Sequence, residues 1–282
     1  MKVVIAGGSG FIGRNLTTFL EAKGIETIAL NRIDFEENRL QERIEGCDVL
    51  VNLVGSSIAG LWTEKRKRAI YNSRIATTGA LVKSVNNCVK PVKTFIHVSA
   101  VGLYNNEGIH DEHSERLADN FLRRVIVDWE KVLHELDGKH SRLIVLRLGA
   151  VLGSNGGILS KLKLLRYLGL GFGVRSEDGF AFIHIRDLLR IFDFLIDNNK
   201  MMGIFNGVAP EISTISNFYR QISRVYKHRF TLLVNARFVK FILGGSAVMV
   251  TKGQRVVPLR LKQEGFVFEF PDLQISLFNL LH

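Results

Sequence analysis

Four glycines fall within seven residues near the start of the chain, in the stretch AGGSGFIG. Gly7, Gly10 and Gly13 follow an apolar run and open a helix-like segment. In such a position one glycine permits a tight turn, one lets a pyrophosphate approach the backbone, and one lets the helix pack on the strand. The free N–H groups at the start of the helix then bind the anion. The pattern predicts a dinucleotide site, and a purely structural strand-to-helix turn is the alternative.

The second apolar run ends in LNRIDF, and its last residues indicate which dinucleotide binds. A free ribose 2′-hydroxyl is usually held there by an acid, whereas a 2′-phosphate requires a cation. Asn31 and Arg32 stand at this position, and the guanidinium of Arg32 offers a planar set of donors for phosphate oxygens. We therefore expect NADP(H), with Asp34 keeping NAD(H) open. Arg14 either adds charge to the site or is an exposed helix residue.

Two hydroxyl groups are the candidates for catalysis. Ser99 ends an apolar run, where open α/β sheets bind ligands, and Tyr104 lies in the following loop. Ser99 would hydrogen-bond a substrate oxygen and Tyr104 would act as an acid. Capping of the strand end and packing of the loop are the structural alternatives. The run HDEH at 110–113 carries metal-ligand residue types, but it lies in a polar loop, so we expect a solvated turn and no metal.

The elements that must position these residues alternate between apolar runs and helix-length segments. The runs are KVVIAG, ETIALN, DVLVNLVG, KTFIHVSA and RLIVLRLGAVLG. They are apolar at consecutive positions, which indicates parallel strands covered by helices on both faces. The sequence therefore predicts an α/β fold, a doubly wound parallel sheet with a small C-terminal lobe on the substrate side.

The organisation changes beyond about residue 155. Glycines cluster there in GSNGGILS and YLGLGFGV, and the alternation loosens. We predict a nucleotide-binding domain over residues 1–158, to which residues 180–208 return, and a mainly substrate-side lobe over residues 159–282.

Composition limits the classes of protein that remain. The 282 residues are 46% hydrophobic, enough for a sizeable core, and no apolar run approaches a membrane span. Two cysteines and a start without a signal-peptide pattern favour a cytoplasmic protein. The net charge of +11 peaks in TEKRKRAIYNSR, which lacks a nucleic-acid-binding pattern, so we expect a solvated helix face and do not expect nucleic-acid binding.

Several strings together resemble the atypical extended short-chain dehydrogenase/reductases, the NAD-dependent epimerase/dehydratase-like proteins. These strings are GGSGFIGR, VNLVG, HVSAVGLY, RLGAVLGSNGGIL, FIHIRDL, FNGVAP and GQRVVPLRLKQEGFVFEFPDL. The last one is similar to a C-terminal domain particular to this subgroup, and the resemblance covers nearly the whole chain. It implies a Rossmann domain that binds NADP(H) and a small C-terminal lobe.

The resemblance also implies roles for individual residues. Asn31 and Arg32 would contact the adenosine phosphate, and Arg74 would reach the cofactor. Leu53 and Val54 would line the adenine and ribose site. With them we assign to the cofactor site the remaining turn residues and the neighbour of Val54, namely Gly7, Ser9, Gly10, Phe11, Ile12, Gly13 and Gly55.

In the wider superfamily, the resemblance implies a catalytic Tyr whose pKa is lowered by a Lys four residues later. A free phenol titrates near pH 10, so a nearby cation is required, and this spacing puts both side chains on one helix face. None of the five tyrosines has such a Lys, and alignment on DWEKV puts Leu122 and Ile126 at the two positions. The sequence thus leaves two functions open. One is an oxidoreductase or nucleotide-sugar epimerase-like enzyme for a small polar substrate, a nucleotide-linked one included. The other is a noncatalytic NADP-binding sensor or partner-binding protein.

Overall fold

The protein is described here by a computed structural model. It describes residues 1–35, 39–58, 60–138, 141–160, 162, 170–227, 230–235, 238–239, 241, 247 and 251–282. Part of the YLGLGFGV glycine cluster, residues 167–169, lies outside these ranges.

Strands and helices alternate through the first half of the chain. The strands are β1 (Lys2–Ala6), β2 (Glu26–Leu30), β3 (Val49–Asn52), β4 (Thr94–Ala100), β5 (Ile109–His110), β6 (Arg142–Leu148), β7 (Ala150–Gly153), β8 (Leu170–Arg175), β9 (Phe182–His184), β10 (Gly203–Gly207), β11 (Phe230–Asn235) and β12 (Arg255–Val256). The helices are α1 (Phe11–Glu21), α2 (Arg39–Ile44), α3 (Glu64–Asn86), α4 (Phe121–Val132), α5 (Ile185–Asp197), α6 (Ile215–Val225), α7 (Leu259–Gln263) and α8 (Leu273–Leu281).

The central sheet has six strands in the order β10-β6-β4-β3-β1-β2, and every neighbouring pair is parallel. Alternate residues of β1 enter different cores, because successive side chains of a strand point to opposite faces. Val3 and Ile5 pack in a core with α1 and α5, whereas Val4 packs in a core with α2 and α3. Both faces of the sheet are covered by helices, and the predicted doubly wound parallel fold is confirmed.

The order of the strands contains one reversal. The chain passes from β1 to β2 at one edge and then places β3 on the other side of β1. Open parallel sheets bind ligands outside the carboxyl ends of their strands at such a switch point. The turns that follow β1 and β3 therefore adjoin the expected ligand position.

The described strands outside the central sheet form small parallel pairs, namely β8 with β11, β7 with β9, and β5 with β12. A third core joins the first two of these pairs to α6 and α8 through Leu152, Phe182, Val174, Phe218 and Leu277. Strand β10 lies beside β6 at the edge of the central sheet. The domain boundary after residue 158 stays a prediction.

The C-terminal segment is attached to the start of α5 by a fully buried carboxylate. Asp187 accepts hydrogen bonds from the backbone N–H groups of Glu269, at 3.0 Å, and Phe270, at 2.8 Å. The Arg190 guanidinium lies 2.9 Å from the same carboxylate. The ring of His184 stacks on Phe270 with centroids 3.7 Å apart. Among the helices of the described ranges, none is long and apolar enough to cross a bilayer.

Candidate functional site

The turn after β1 requires glycine at its first position. Gly7 has φ +85°, which favours glycine, and a Cβ there would lie 2.9 Å from the carbonyl carbon of Leu53. The turn after β1 therefore lies directly against the turn that begins with Leu53 and Val54, at the switch point of the sheet. These three predicted cofactor residues come together because Gly7 has no side chain that would separate the two turns.

The other two glycines shape the start of α1. A Cβ on Gly13 would lie 2.4 Å from the Gly7 carbonyl oxygen, so only glycine lets the helix pack this closely on the turn. Gly10 precedes the helix without capping it through a side chain, and the first helical turn holds no acid. The first N–H groups and the positive end of the helix dipole are therefore available to an anion. This arrangement fits a pyrophosphate.

The remaining residues of the turn differ in which of their groups can contact a ligand. The Phe11 ring packs on the glycine-rich turn after β7, since a Cβ on Gly156 would lie 2.2 Å from a Phe11 ring carbon. Only the backbone of Phe11 is then left for a ligand. Ile12 packs against the core, whereas Ser9 is exposed. The Arg14 guanidinium donates to the Ser9 carbonyl oxygen, which holds its charge beside the turn.

After β2, the cation Arg32 is exposed whereas the acid Asp34 is buried. The Asp34 carboxylate is buried, accepts a hydrogen bond from the Asn31 backbone N–H at 2.6 Å, and lies 3.6 Å from the Arg43 guanidinium. Arg32 is exposed, and within the described ranges no carboxylate pairs with it. The side chain that would bind a ribose 2′-hydroxyl is therefore occupied, and the one suited to a 2′-phosphate is available.

Beyond β3, Gly55 and Arg74 are packed together. A Cβ on Gly55 would lie 3.0 Å from Nη2 of Arg74, and Nη1 of Arg74 donates to the carbonyl oxygens of Ser56 and Ile70 at 3.2 and 3.1 Å. The guanidinium lies 5.1 Å from the centroid of the Trp129 ring. Desolvation by burial lowers the pKa of Arg74 to about 10. Because no described carboxylate pairs with it, this cation is suited to an anionic ligand.

A buried polar chain that sequence reasoning missed connects the turn after β3 to Trp129. The Asn52 side-chain oxygen accepts from the Val54 N–H at 3.1 Å, and its nitrogen donates to Thr78 Oγ1 at 2.9 Å. Trp129 Nε1 also donates to Thr78 Oγ1, at 2.7 Å. His97 Nδ1 lies 3.2 Å from the Asn52 nitrogen. A visible signal was the polar Asn52 within the apolar run DVLVNLVG, because a buried amide needs partners.

A cavity of about 800 Å³ lies beside Trp129, at the end of this series of hydrogen bonds. Its lining includes the ends of β4 and β6, the apolar face of α4 and part of the C-terminal lobe. Those described residues are Ala100, Val101, Leu122, Val125, Ile126, Trp129, Leu148, Phe180, Phe218 and Tyr219. Of the predicted site residues, Arg74 and Tyr104 also line it, whereas Ser99 is not among the described lining residues.

Ser99 and Tyr104 belong to one buried hydrogen-bond network. Ser99 Oγ donates to Glu130 Oε1 at 2.6 Å, and Glu130 is ion-paired with Arg147. Arg147 Nη1 donates to the Tyr104 hydroxyl at 2.9 Å, and that hydroxyl donates to Asn206 Oδ1 at 3.1 Å. Burial raises the pKa of Tyr104 despite the nearby Arg147 cation. Both hydroxyls are therefore held by protein partners, and their catalytic role stays a prediction.

A doubly wound parallel sheet whose glycine-rich turn lies at the switch point defines a Rossmann-type dinucleotide-binding fold. The chain belongs to the NAD dependent epimerase/dehydratase family, whose model matches residues 3–206. A domain of unknown function, DUF1731, matches residues 235–279. The resemblance to this family and to a subgroup-specific C-terminal domain is thus confirmed.

Relatives match over essentially the full length of the chain. The human epimerase family protein SDR39U1 is 31% identical over 98% of both chains, and YfhF from Bacillus subtilis is 28% identical over 100% of this chain and 98% of its own. A crystal structure of human SDR39U1, isoform 2, with NADPH superposes with a TM-score of 0.92 at 30% identity, covering 100% of this chain and 99% of that one. A dTDP-4-dehydrorhamnose reductase from Bacillus anthracis, 14% identical with a TM-score of 0.81, shares the fold.

Proposed function

We propose that the protein binds NADP(H) across the switch point of its sheet. The pyrophosphate would lie on the glycine turn and the start of α1, and Arg32 would bind the 2′-phosphate. The single observation that carries the proposal is the exposed Arg32 beside an Asp34 carboxylate that is buried in its own turn. The NADPH in the crystal structure of human SDR39U1 supports the same cofactor.

The remaining cofactor contacts follow from the geometry around β3. Leu53 and Val54 would line the adenine and ribose site, where Asn52 holds the Val54 N–H. Arg74, half-buried and without an acidic partner among the described residues, would reach an anionic part of the cofactor. NAD(H) is the weaker alternative, because it offers no phosphate to Arg32.

The cavity beside the carboxyl edge of the sheet supports an enzyme. A bound nicotinamide supplies hydride transfer, so the supported reaction class is an oxidoreduction or an epimerisation through an oxidised intermediate. Substrate would enter the cavity lined by α4 and the C-terminal lobe. The small polar or nucleotide-linked substrate expected from the sequence is one candidate.

A noncatalytic NADP(H) sensor is the second candidate, and α4 carries the observation that favours it. Leu122 and Ile126 line the cavity at the two positions where the resemblance puts a Tyr and a Lys. Neither side chain transfers a proton. Ser99 and Tyr104 are in turn held by Glu130 and Arg147.

Titration of the cofactors into an Arg32→Ala variant tests the binding proposal. A charge-assisted contact contributes about 1.5–3 kcal/mol, so we expect NADPH to bind roughly 10- to 100-fold more weakly while NADH affinity is unchanged. Arg124→Ala, which removes an exposed charge from α4, is the matched control and should change neither affinity. Equal weakening of both cofactors by Arg32→Ala would reject the phosphate contact.

A second measurement separates the enzyme from the sensor. If Ser99 and Tyr104 carry chemistry, Ser99→Ala and Tyr104→Phe should abolish turnover of NADPH with a substrate while leaving NADPH affinity intact. Unchanged turnover would exclude the altered residue from the chemistry. Specific NADPH binding without turnover of any carbonyl substrate supplied would favour the sensor.

A further inference from the structure

We propose that the cavity beside α4 takes an uncharged, ring-sized carbonyl compound, held by apolar walls and by a hydrogen bond from the Tyr219 hydroxyl. The inference rests on the proposed function, because Arg74, which is assigned to the cofactor, lines the same cavity. It is an alternative to the polar or nucleotide-linked substrate expected from the sequence.

Two groups of apolar side chains line the cavity. Helix α4 contributes Leu122, Val125 and Ile126. The C-terminal lobe contributes Phe180 and Phe218, whose rings stack with centroids 4.2 Å apart and an interplanar angle of 25°. Apolar and aromatic linings of this kind favour ligands that bury hydrocarbon or ring surface.

Most of the polar side chains that line the cavity are already bound to the protein. The side-chain oxygens of Asn105 and Asn120 accept hydrogen bonds from backbone N–H groups, at 3.0 and 2.9 Å. The Lys252 ammonium lies 3.5 Å from the Asp178 carboxylate. A nucleotide-linked sugar brings two phosphates that need several cations or donors. Apart from Arg74, the described lining offers Lys252 as its only cation, and Lys252 is paired.

Tyr219 differs from Asn105, Asn120 and Lys252 in its hydrogen bonding. It lines the cavity and is only 8% exposed, yet within the described ranges no residue hydrogen-bonds its hydroxyl. The ring is fixed in position, since a Cβ on Gly173 would lie 2.3 Å from its Cγ atom. Burial raises the pKa of Tyr219, so the phenol stays protonated and able to donate. A phenol that lines the cavity without a described acceptor can donate a hydrogen bond to a ligand carbonyl oxygen.

The size of the cavity agrees with this occupant. At about 800 Å³ it lies in the range of small-molecule sites, with room for a ring compound beside a nicotinamide. The described lining is mostly apolar, its Lys252 is paired, and its Asp119 carries a negative charge. These features favour an uncharged ketone or aldehyde over a carboxylate or a phosphate, because burying an uncompensated anion is strongly unfavourable.

Calorimetric titration of protein saturated with NADP⁺ tests the inference with three probes. They are 2-acetylnaphthalene, 2-ethylnaphthalene, which has the same rings without the oxygen, and UDP-glucose. We expect saturable binding of 2-acetylnaphthalene, at least about tenfold tighter than UDP-glucose. Tyr219→Phe should weaken 2-acetylnaphthalene about tenfold and leave 2-ethylnaphthalene unchanged. Tyr71→Phe is the matched control, because the Tyr71 hydroxyl bonds Asp128 and Tyr71 is not among the described lining residues.

Three results would overturn the inference: tighter binding of UDP-glucose, no saturable binding of either naphthalene, or equal weakening of both naphthalenes by Tyr219→Phe. Titration of NADP⁺ into the same samples distinguishes this failure from failure of the proposed function. If NADP⁺ does not bind, the proposed function is wrong, and the naphthalene titrations on the free protein decide the present inference by the same criteria.

Discussion

Glu130 on α4 and Arg147 on β6 form a bidentate ion pair inside the protein, with Nη2–Oε2 at 2.7 Å and Nε–Oε1 at 3.0 Å. The pair also holds both catalytic candidates, since Ser99 donates to Glu130 and Arg147 donates to Tyr104. Although desolvation opposes the charge, hydrogen bonding and the negative charge of Glu130 raise the pKa of Arg147. The wall of the cavity at Tyr104 is therefore fixed by a charged pair that links a helix to the central sheet.

Removal of one partner of this pair should strongly destabilise the fold. Arg147→Met leaves the Glu130 carboxylate without its cation in a site where the Arg side chain is 8% exposed. A broken buried pair typically costs about 3–5 kcal/mol, measured as the free energy of unfolding in urea. Lys67→Ala, which breaks a surface pair with Glu64, is the control and should cost below about 1 kcal/mol. A similarly small loss for Arg147→Met would show that the pair is not an important constraint.

The two glycines at the start of α1 should respond differently to alanine. Gly13→Ala places a Cβ 2.4 Å from the Gly7 carbonyl oxygen, and overpacking of this kind costs about 1–3 kcal/mol of stability. Gly10→Ala meets the same oxygen at 3.2 Å and should fold with little loss. Its methyl group stands where the pyrophosphate approaches, so we expect NADPH affinity to fall about tenfold. Wild-type NADPH affinity in a folded Gly10→Ala protein would contradict the position given to the pyrophosphate.

The free energy of unfolding should decrease as the pH is lowered, because the protein contains buried neutral histidines. Desolvation lowers the pKa of His97 to about 3, and burial, its largest cause, lowers that of His184 to about 4. Below the unfolded value of about 6.5, the unfolded chain takes up protons that the folded protein does not, so stability decreases as pH falls towards the folded values. Each histidine contributes up to about 1.4 kcal/mol per pH unit.

Urea unfolding at pH 7.5 and pH 5.0 measures this slope. His97→Gln removes the titrating group and should reduce the loss of stability between these pH values by about 2 kcal/mol. His134→Gln, at an exposed position, should leave the slope unchanged. Equal slopes for wild type and His97→Gln would mean that His97 takes up its proton in the folded protein.

Asp187 should control the attachment of the C-terminal segment. Asp187→Ala leaves the N–H groups of Glu269 and Phe270 without their acceptor, which we expect to cost about 3 kcal/mol. In hydrogen–deuterium exchange those two amides should exchange much faster, while amides of β1 should not change. Asp193→Ala, which removes the surface partner of Lys23, is the control. Unchanged exchange at residues 269 and 270 would show that another contact holds the segment.

The fold was predictable because its strands are apolar at consecutive positions. In β1, Val3 and Val4 enter different cores, which requires a hydrophobic side chain at each position. The glycine turn was equally predictable from the sequence, because the positive φ at Gly7 and the close contact at Gly13 both require glycine. The family was recognisable from the same turn together with the C-terminal string.

Much of the site could not be predicted, because partners distant in sequence decide it. The position of Ser99 at the end of a strand was visible, but its acceptor Glu130 lies 31 residues away on a helix. Arg147 within RLIVLRL was the available signal, since a charge in a buried strand needs a counter-charge. No spacing rule connects Tyr219 to the α4 side of the cavity, because two separate parts of the chain form those walls.

Isothermal titration of NADPH into the purified wild-type protein tests the central claim, that the turn formed by Gly7, Gly10 and Gly13 accepts a dinucleotide diphosphate. We predict saturable binding of one NADPH per chain, tighter than that of NADH because of Arg32. Absence of measurable binding of either nucleotide to folded protein would contradict the account.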